Sequence, residues 1–197
     1  MSYYQLPDLL DIRLVQKLAE ANFLASGVPI SIVDAYDATV IVQTGRQDIC
    51  AKFHRVNPLS SKHCHESDTY MKTHLSEGRP YQYKCKNGLC HIALPIMVTG
   101  RHLATLFLTQ FFYESELPGR EFFIRQAHRF GFDLLSYLAA LDRMPVFTSE
   151  KVNFILAYEK ALVRFITDLA EQSLLKLEAE KSLLAAEGMR CFPESVG

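Results

Sequence analysis

The feature that most constrains the fold is an Asn-Gly pair between two stretches of strand-like sequence, YQYKCK and LCHIALPIMV. A two-residue type I′ hairpin turn requires positive φ at both central residues, and Asn87-Gly88 suits that requirement. This turn would place Cys85 directly opposite Cys90. We therefore expect a β-hairpin whose two thiols converge near its tip.

Side chains alternate between the two faces of a strand, and this alternation assigns a face to each residue near the two thiols. Tyr83 and Ile92 are expected on the face of the two cysteines, and Lys84 and His91 on the other face. Such a pair suits a dithiol, a disulfide or two metal ligands. A small buried cysteine pair would give the same pattern.

The composition limits the classes of protein to consider. With 197 residues, 49% hydrophobic and 22% charged, the chain has the size of one domain plus an appendage and is not disordered. A net charge of -1 gives no electrostatic case for binding nucleic acid or an anionic membrane. Because the first residues have no basic region followed by an apolar run, we expect no signal peptide, and no apolar run approaches the roughly 20 residues that span a bilayer. Five cysteines without an export signal predict a reducing, cytoplasmic location.

The order of predicted elements indicates an α+β domain followed by a helical tail. Helices are expected where apolar residues recur at helical spacing, at residues 8–26, 47–55, 58–75, 120–126 and 133–141. Gly27 would cap the first helix, and Gly78 and Pro80 would stop the third. Strands are expected at residues 29–34, 39–44, 81–86, 89–98 and 102–113. This order is typical of a PAS/GAF-like antiparallel sheet with flanking helices, which encloses a small-molecule pocket.

Several short motifs resemble the PocR-type sensory domain. They are a cysteine ahead of an Asn-Pro pair, a Cys-x-x-Ser-Asp motif, a Cys-x-x-Gly-Leu motif and a Pro-Ile strand that ends in glutamine. The matching positions are Cys50, Asn57, Cys64, Ser67, Asp68, Cys85, Gly88, Leu89, Pro95, Ile96 and Gln110. The resemblance covers about residues 9–113 and implies a PAS-related ligand-sensing domain of a prokaryotic signalling or transcription-regulatory protein. It also implies recognition of simple hydrocarbon derivatives such as short diols.

The chain departs from this family pattern at three positions. Thr109 stands where the family usually has glycine, which would narrow the pocket or change its backbone. Ala38 stands at a common hairpin glycine and would alter only that turn. Cys90 is an addition, so a site built on Cys85 and Cys90 would be peculiar to this chain.

The first functional hypothesis is a non-catalytic sensory module that holds a small neutral ligand, a short diol or alcohol, in an apolar pocket. Gln110 offers both a donor and an acceptor for a hydroxyl or carbonyl oxygen, and a thiol would add a second polar contact. The predicted ligand-binding residues are Tyr81, Tyr83, Ile92, Leu94, Phe107, Gln110 and Phe111.

The second hypothesis is a redox sensor that binds a metal ion or an iron–sulfur cluster. Cys50 and His54 are four residues apart on one predicted helix, Cys64 lies on the next, and the hairpin supplies further ligands. The predicted ligands are Cys50, Cys64, Cys85, Cys90, His54 and His91. The sequence has no Cys-x-x-Cys pair, so buried thiols that line a pocket, or a redox pair, are the alternatives.

Catalysis is the weaker interpretation, and we predict no catalytic residues. The sequence has no Gly-rich phosphate loop, no His-Glu-x-x-His and no Gly-x-Ser-x-Gly motif. A Cys-His nucleophile would combine Cys64 or Cys85 with a histidine, but the sequence alone does not place such a base within reach of either thiol. We therefore expect a binding protein rather than an enzyme.

The tail predicts one long helix, residues 149–187, followed by a loose end at 188–197. Its leucines follow heptad-like spacing with one change of phase, at Leu162, Leu169, Leu174, Leu177 and Leu184. A helix docked on its own domain is one interpretation, and a helix paired with a second copy is the other. We expect docking of residues 154–165 on a sensory domain formed by residues 1–148. Beyond it we expect a homodimer, paired at least in part through Leu169, Leu174, Leu177 and Leu184, that signals to a downstream partner or output domain.

Overall fold

A computed structural model describes residues 4–75 and 79–190, without the side chains of residues 187–190. Gly78 of the predicted stop signal and residues 191–197 of the predicted tail lie outside the described residues. Within the described ranges the α-helices are α1 (Leu6–Leu9), α2 (Ile12–Ser26), α3 (Pro58–His74), α4 (Arg120–Phe130), α5 (Leu134–Asp142) and α6 (Ser149–Arg190). The strands are β1 (Ile30–Asp34), β2 (Val40–Gln43), β3 (Tyr81–Lys84), β4 (Cys90–Val98), β5 (Arg101–Tyr113) and β6 (Val146–Phe147). A π-helix spans Ile49–His54, and a 3₁₀-helix spans Glu114–Glu116.

The strands form one sheet with the order β2-β1-β5-β4-β3, in which every neighbouring pair is antiparallel. β6, which the sequence did not predict, joins β5 in parallel through Phe112 and Val146. The predicted α+β class is therefore confirmed, with a PAS/GAF-like antiparallel sheet, flanking helices and a long C-terminal helix.

Different helices pack on the two faces of the sheet. On one face Ile92 and Leu106 pack in a core that also contains Ile166 of α6 and residues of α1 and α2. On the other face Phe107 packs against Met71 of α3, and the π-helix lies beside α3. The sheet therefore separates the helix α6 from the π-helix and α3.

The first predicted helix is divided into α1 and α2. Leu10 is extended, with φ -134°, and the carboxylate of Asp11 accepts a hydrogen bond from the amide of Arg13 and so caps α2. The predicted stop at Gly27 is confirmed, because this residue has φ 71° and its N–H bonds the carbonyl of Phe23.

Helix α6 begins where the sequence predicted, with the hydroxyl of Thr148 accepting a hydrogen bond from the amide of Lys151. Its buried side chains Val152, Ile155 and Ile166 lie on one stripe that faces the sheet. Phe154, inside the predicted docking segment, lies on the outer side of the helix and is 69% exposed.

The docked part of α6 is also longer than the predicted 154–165. Leu174 and Leu177 pack against the core, and the carboxylate of Glu171 accepts a hydrogen bond from the amide of Thr99. Further on, the ammonium of Lys181 donates to the hydroxyl of Tyr4 at 2.6 Å. The heptad-like leucines therefore serve mainly to dock the helix on its own domain.

One carboxyl group is buried between α2 and α6. Glu159 has no solvent exposure, and its Oε1 accepts a 2.6 Å hydrogen bond from the side-chain amide of Asn22. Its Oε2 has no hydrogen-bond partner among the described residues. Burial raises the pKa of this carboxyl from 4.5 to about 7, against the lowering effect of Asn22.

We predict that Glu159 makes the domain less stable as the pH rises. The folded pKa lies above the unfolded one, so the folded state binds the proton more tightly and the free energy of unfolding should fall between about pH 4.5 and 7. The loss should be roughly 3 kcal/mol, and Glu159→Gln should remove it. Urea unfolding from pH 5 to 8 measures it, with the exposed Glu180→Gln as control. An unchanged pH dependence in Glu159→Gln would contradict this account.

Candidate ligand-binding site

A cavity of about 230 Å³ lies between the sheet and the cover formed by the π-helix and α3. Strands β1 to β5 supply its floor, including Val33, Tyr83 and Phe107. The volume is below the about 300–1,000 Å³ of ordinary ligand pockets, so it suits a molecule of few non-hydrogen atoms.

A β-bulge in β5 shapes one end of this cavity. His91 pairs with Thr109 and Cys90 pairs with Phe111, so Gln110 is the extra, unpaired residue, with φ 63°. A positive φ at a non-glycine residue costs about 1–2 kcal/mol and is retained where the surroundings enforce it. Here the Oε1 of Gln110 accepts a 2.7 Å hydrogen bond from the amide of Gln47. Gln110 thereby positions the segment that leads into the π-helix.

The turn between β3 and β4 differs from the predicted type I′ turn. The amide of Gly88 bonds the carbonyl of Cys85 at 2.8 Å, and the amide of Cys85 bonds the carbonyl of Leu89 at 2.9 Å. Gly88 has φ 92°, whereas Asn87 does not have positive φ. The loop is therefore one residue longer than a two-residue turn, as in hairpins where a left-handed glycine forms a bulge. In contrast, Thr99 and Gly100 form the predicted two-residue turn, with φ 46° and 78°.

The changed register reverses the predicted faces. Lys84, rather than Cys85, pairs with Cys90, and Tyr83 pairs with His91. Because a one-residue shift moves every side chain to the opposite face, Cys85 lies with Tyr83 and His91 on the cavity side. Cys90 lies with Ile92 in the core on the far side. The predicted Cys85/Cys90 pair is therefore wrong, and both thiols are free.

Asn87 has a structural role instead of the predicted turn role. Its side chain is buried, and its amide nitrogen donates to the carbonyl of Ser60 and to the Sγ of Cys64, each at 3.3 Å. Its Oδ1 contacts the Nδ1 of His63 at 3.2 Å. These bonds fasten the hairpin tip to α3.

Two further positions of the family pattern also fix α3. The Oδ1 of Asn57 accepts hydrogen bonds from the amides of Leu59 and Ser60 and so caps the helix. The hydroxyl of Ser67 accepts a 3.0 Å hydrogen bond from the amide of Lys86 in the hairpin loop. The motif residues Asn57 and Ser67 therefore hold the cover of the cavity in place.

Three thiols line the cavity, those of Cys50, Cys64 and Cys85. Burial raises the pKa of Cys50 and of Cys64, and it raises the pKa of Cys85 to about 11. These thiols are therefore protonated near neutral pH, and a protonated thiol is a poor nucleophile. In this protonated form they are neutral, weakly polar groups of the cavity wall.

His54 lies at the start of a buried hydrogen-bond chain. The hydroxyl of Tyr137 donates to the Oε1 of Gln126 at 2.7 Å, so the Nε2 of His54 must donate to that hydroxyl, also at 2.7 Å. The Nδ1 of His54 is then an acceptor, and it has no partner among the described residues. Burial lowers the pKa of His54 to about 4, so the ring is neutral.

His91 is the second neutral imidazole in the cavity. Its ring stacks on Tyr83 with centroids 5.0 Å apart, and its buried Nε2 has no hydrogen-bond partner among the described residues. Burial lowers the pKa of His91 to about 3, with a smaller lowering by Arg55. Each of these two cavity-lining imidazoles thus has one buried nitrogen that no described residue hydrogen-bonds.

The predicted metal ligands are only partly brought together. Five of them line the cavity, namely Cys50, His54, Cys64, Cys85 and His91, whereas Cys90 lies across the sheet. Among residues 4–75 and 79–190, no group of three His, Cys, Asp or Glu side chains is arranged to hold a metal ion.

The predicted ligand-binding residues are likewise divided by the sheet. Tyr83, Phe107 and Gln110 line the cavity, as does Thr109, which takes space where the family usually has glycine. Tyr81 lies beside the cavity and stacks on Tyr83 at 6.2 Å. Three others, Ile92, Leu94 and Phe111, belong to the core on the opposite face because of the register shift and the bulge.

Sequence reasoning missed the charged residues at the cavity, which are Arg46, Arg55 and Lys72. Arg55 forms a 3.3 Å ion pair with Asp68, a position that does match the family pattern. These cations come from a loop, the end of the π-helix and the end of α3. No local pattern in the sequence brings such separate positions together.

Ala38 has φ 62°, a conformation that glycine adopts without strain. Its methyl group also lines the cavity. The substitution of a usual glycine by Ala38 therefore affects the cavity wall as well as the predicted turn.

A comparison with family models identifies one match, to the sensory domain found in PocR, over residues 8–171. The match covers most of the chain and extends into α6. No curated protein matches the chain. Among the described helices, none combines the length and the apolar character needed to cross a membrane.

We predict that Gly88→Ala will destabilise the domain more than Gly100→Ala. Both glycines have positive φ, which should cost an alanine roughly 1 kcal/mol net. A Cβ at Gly88 would also lie 2.7 Å from the ring of Phe122, whereas a Cβ at Gly100 meets no atom within 4 Å. Crowding of that ring should add about 1–3 kcal/mol. Urea unfolding measures the free energy of unfolding of both variants. Equal losses of stability would show that the ring of Phe122 moves aside without an energetic penalty.

Proposed function

The chain belongs to the family of the PocR sensory domain, and on this premise we propose a non-catalytic sensory module of a prokaryotic signalling or transcription-regulatory protein. Its ligand would be a small hydrocarbon derivative, a short diol, an alcohol or a similar molecule. The observation that carries the proposal is one small cavity lined by His54 and His91, two imidazoles that each have a buried nitrogen without a hydrogen-bond partner among the described residues.

The chemistry of the cavity supports such a ligand. The acceptor Nδ1 of His54 would receive a hydrogen bond from a hydroxyl group, and the Nε2 of His91 would bind a second polar atom. A buried polar group without a partner costs about 1–3 kcal/mol, so a ligand that satisfies it gains affinity. Val33 and Met71 offer apolar wall for a short alkyl chain.

The metal or iron–sulfur sensor is the second candidate. It is favoured by the thiols of Cys50, Cys64 and Cys85, which match the family pattern and face one cavity. Metal analysis and a visible absorption spectrum of anaerobically purified protein distinguish the candidates. A bound metal that is lost in Cys64→Ser and kept in Cys90→Ser would favour the second, and a metal-free protein would reject it.

We predict that filling the cavity will abolish ligand binding. Small alcohols and diols that bind should raise the melting temperature by mass action. Val33→Phe should cancel that rise, because its ring would occupy the space next to Phe107. Val146→Phe, half-exposed and away from the cavity, is the matched control. An undiminished rise in melting temperature in Val33→Phe would show that the ligand binds elsewhere. If no compound at millimolar concentration raises the melting temperature of the unmodified protein, the proposed function is contradicted.

A homodimer through α6 is part of the proposal. The face of α6 that points away from the sheet carries large exposed apolar side chains, Phe154, Tyr158, Phe165, Leu175 and Leu183. Its first members recur at intervals of four and seven residues, a spacing with which two copies of one helix pair. Of the leucines predicted to pair, Leu174 and Leu177 dock on the core, and Leu184, seven residues after Leu177, continues that docked stripe but is 67% exposed.

We predict that the double variant Phe154→Glu with Phe165→Glu will be monomeric. The two new carboxylates on each copy would repel those on the second copy. They would not disturb the side chains of α6 that pack against the sheet. Light scattering coupled to gel filtration measures the mass, and Leu117→Glu, exposed outside the helix, is the control. Removal of the helix end is less informative, because Leu174 and Leu177 stabilise the domain itself. An unchanged dimer mass in the double variant would exclude this face as the dimer contact.

A further inference from the structure

The charges around the cavity are mainly positive. Three lining side chains are cationic, Arg46, Arg55 and Lys72, and one is anionic, Asp68, which leaves an excess of two positive charges. The whole chain has a net charge of -1, so this excess is local. The imidazoles and thiols of the cavity add no charge near neutral pH because burial favours their neutral forms.

Arg55 is the cation with the best position for a ligand. It sits at the end of the π-helix and lines the cavity beside Asp68, with its side chain 45% exposed. Its ion pair with Asp68 uses one guanidinium nitrogen at 3.3 Å, and the guanidinium makes no other hydrogen bond with the described residues. A guanidinium has five N–H donors in a fork that matches a carboxylate.

Arg46 and Lys72 extend this positive region. Each lines the cavity, is exposed to solvent and makes no hydrogen bond or ion pair with another described residue. Because exposed charges attract an oppositely charged ligand from solution, they would raise its local concentration at the opening. They also disfavour a cationic ligand.

We propose that the cavity takes a short carboxylate, in particular a hydroxy acid of a few carbon atoms, whose carboxylate binds Arg55. Its alkyl part would lie against Val33 and Met71, and its hydroxyl would meet the Nδ1 of His54 or the Nε2 of His91. The inference rests on the proposed function and narrows its ligand class. A neutral diol would satisfy the imidazoles and leave the guanidinium donors unused.

Lactate and propane-1,2-diol test this choice directly. The two molecules share a methyl group and a secondary hydroxyl, and they differ in a carboxylate against a hydroxymethyl group. Titration calorimetry and melting temperatures of the full chain should show saturable binding of lactate and at least about tenfold weaker binding of the diol, as expected for a charged hydrogen bond. Lactate binding should also weaken as the salt concentration rises.

Variants of the cavity cations complete the test. Arg55→Gln should weaken lactate binding about 10- to 100-fold, and Arg55→Lys should weaken it less, because a point charge replaces the fork. Arg46→Gln should have a smaller effect. Arg125→Gln, an exposed cation of α4 that does not line the cavity, makes the same charge change and should have none. Far-UV circular dichroism verifies that each variant is folded.

The outcomes separate this inference from the proposed function. Binding of the diol equal to or tighter than that of lactate would overturn the carboxylate inference and leave the sensory module intact. Equal weakening in Arg55→Gln and Arg125→Gln would overturn it as well, since the effect would come from net charge alone. If neither compound binds and the wider panel of alcohols and diols also fails, both proposals are rejected.

Discussion

The side chain of Asn87 is the contact on which the cavity depends. It belongs to the hairpin on the floor of the cavity, and it bonds the carbonyl of Ser60 and the thiol of Cys64 in the helix that forms the cover. A buried amide without these partners would cost a few kcal/mol, so the hairpin tip and α3 hold each other in one arrangement. The conformation of Gly88 allows this, because the longer loop turns the side chain of Asn87 toward α3 rather than into solvent.

The hydrogen bonds of Asn87 also explain why the predicted two-residue turn was wrong. Periodicity identified the strands and helices within a few residues, because apolar spacing reports burial directly. An Asn-Gly pair, however, is compatible both with a two-residue turn and with a longer loop that ends in a left-handed glycine. The tertiary bonds of Asn87 decide for the second, and the resulting one-residue shift places Cys90 and Ile92 across the sheet from Cys85. The local sequence indicated that these segments are strands, but it did not determine the register between β3 and β4.

The candidate site was predictable to a similar degree. Family motifs located Cys50, Cys64 and Cys85, and all three line the cavity. The bulge at Gln110 was not predictable, because its positive φ is enforced by the distant amide of Gln47. The positive charge of the cavity was missed for the same reason, since its cations come from separate elements that only the fold brings together.

The architecture gives a ligand a direct physical connection to the C-terminal helix. Neighbouring residues of one strand point to opposite faces, so His91 faces the cavity while Ile92 contacts the core that holds α6. A close-packed sheet transmits displacement because it has few voids to absorb it. On the far side, the interface of α6 with α2 contains Glu159, a carboxyl whose ionisation opposes burial near neutral pH. The packing of α6 against α2 therefore depends on the protonation of Glu159, because ionisation of a buried carboxyl destabilises the contact that contains it.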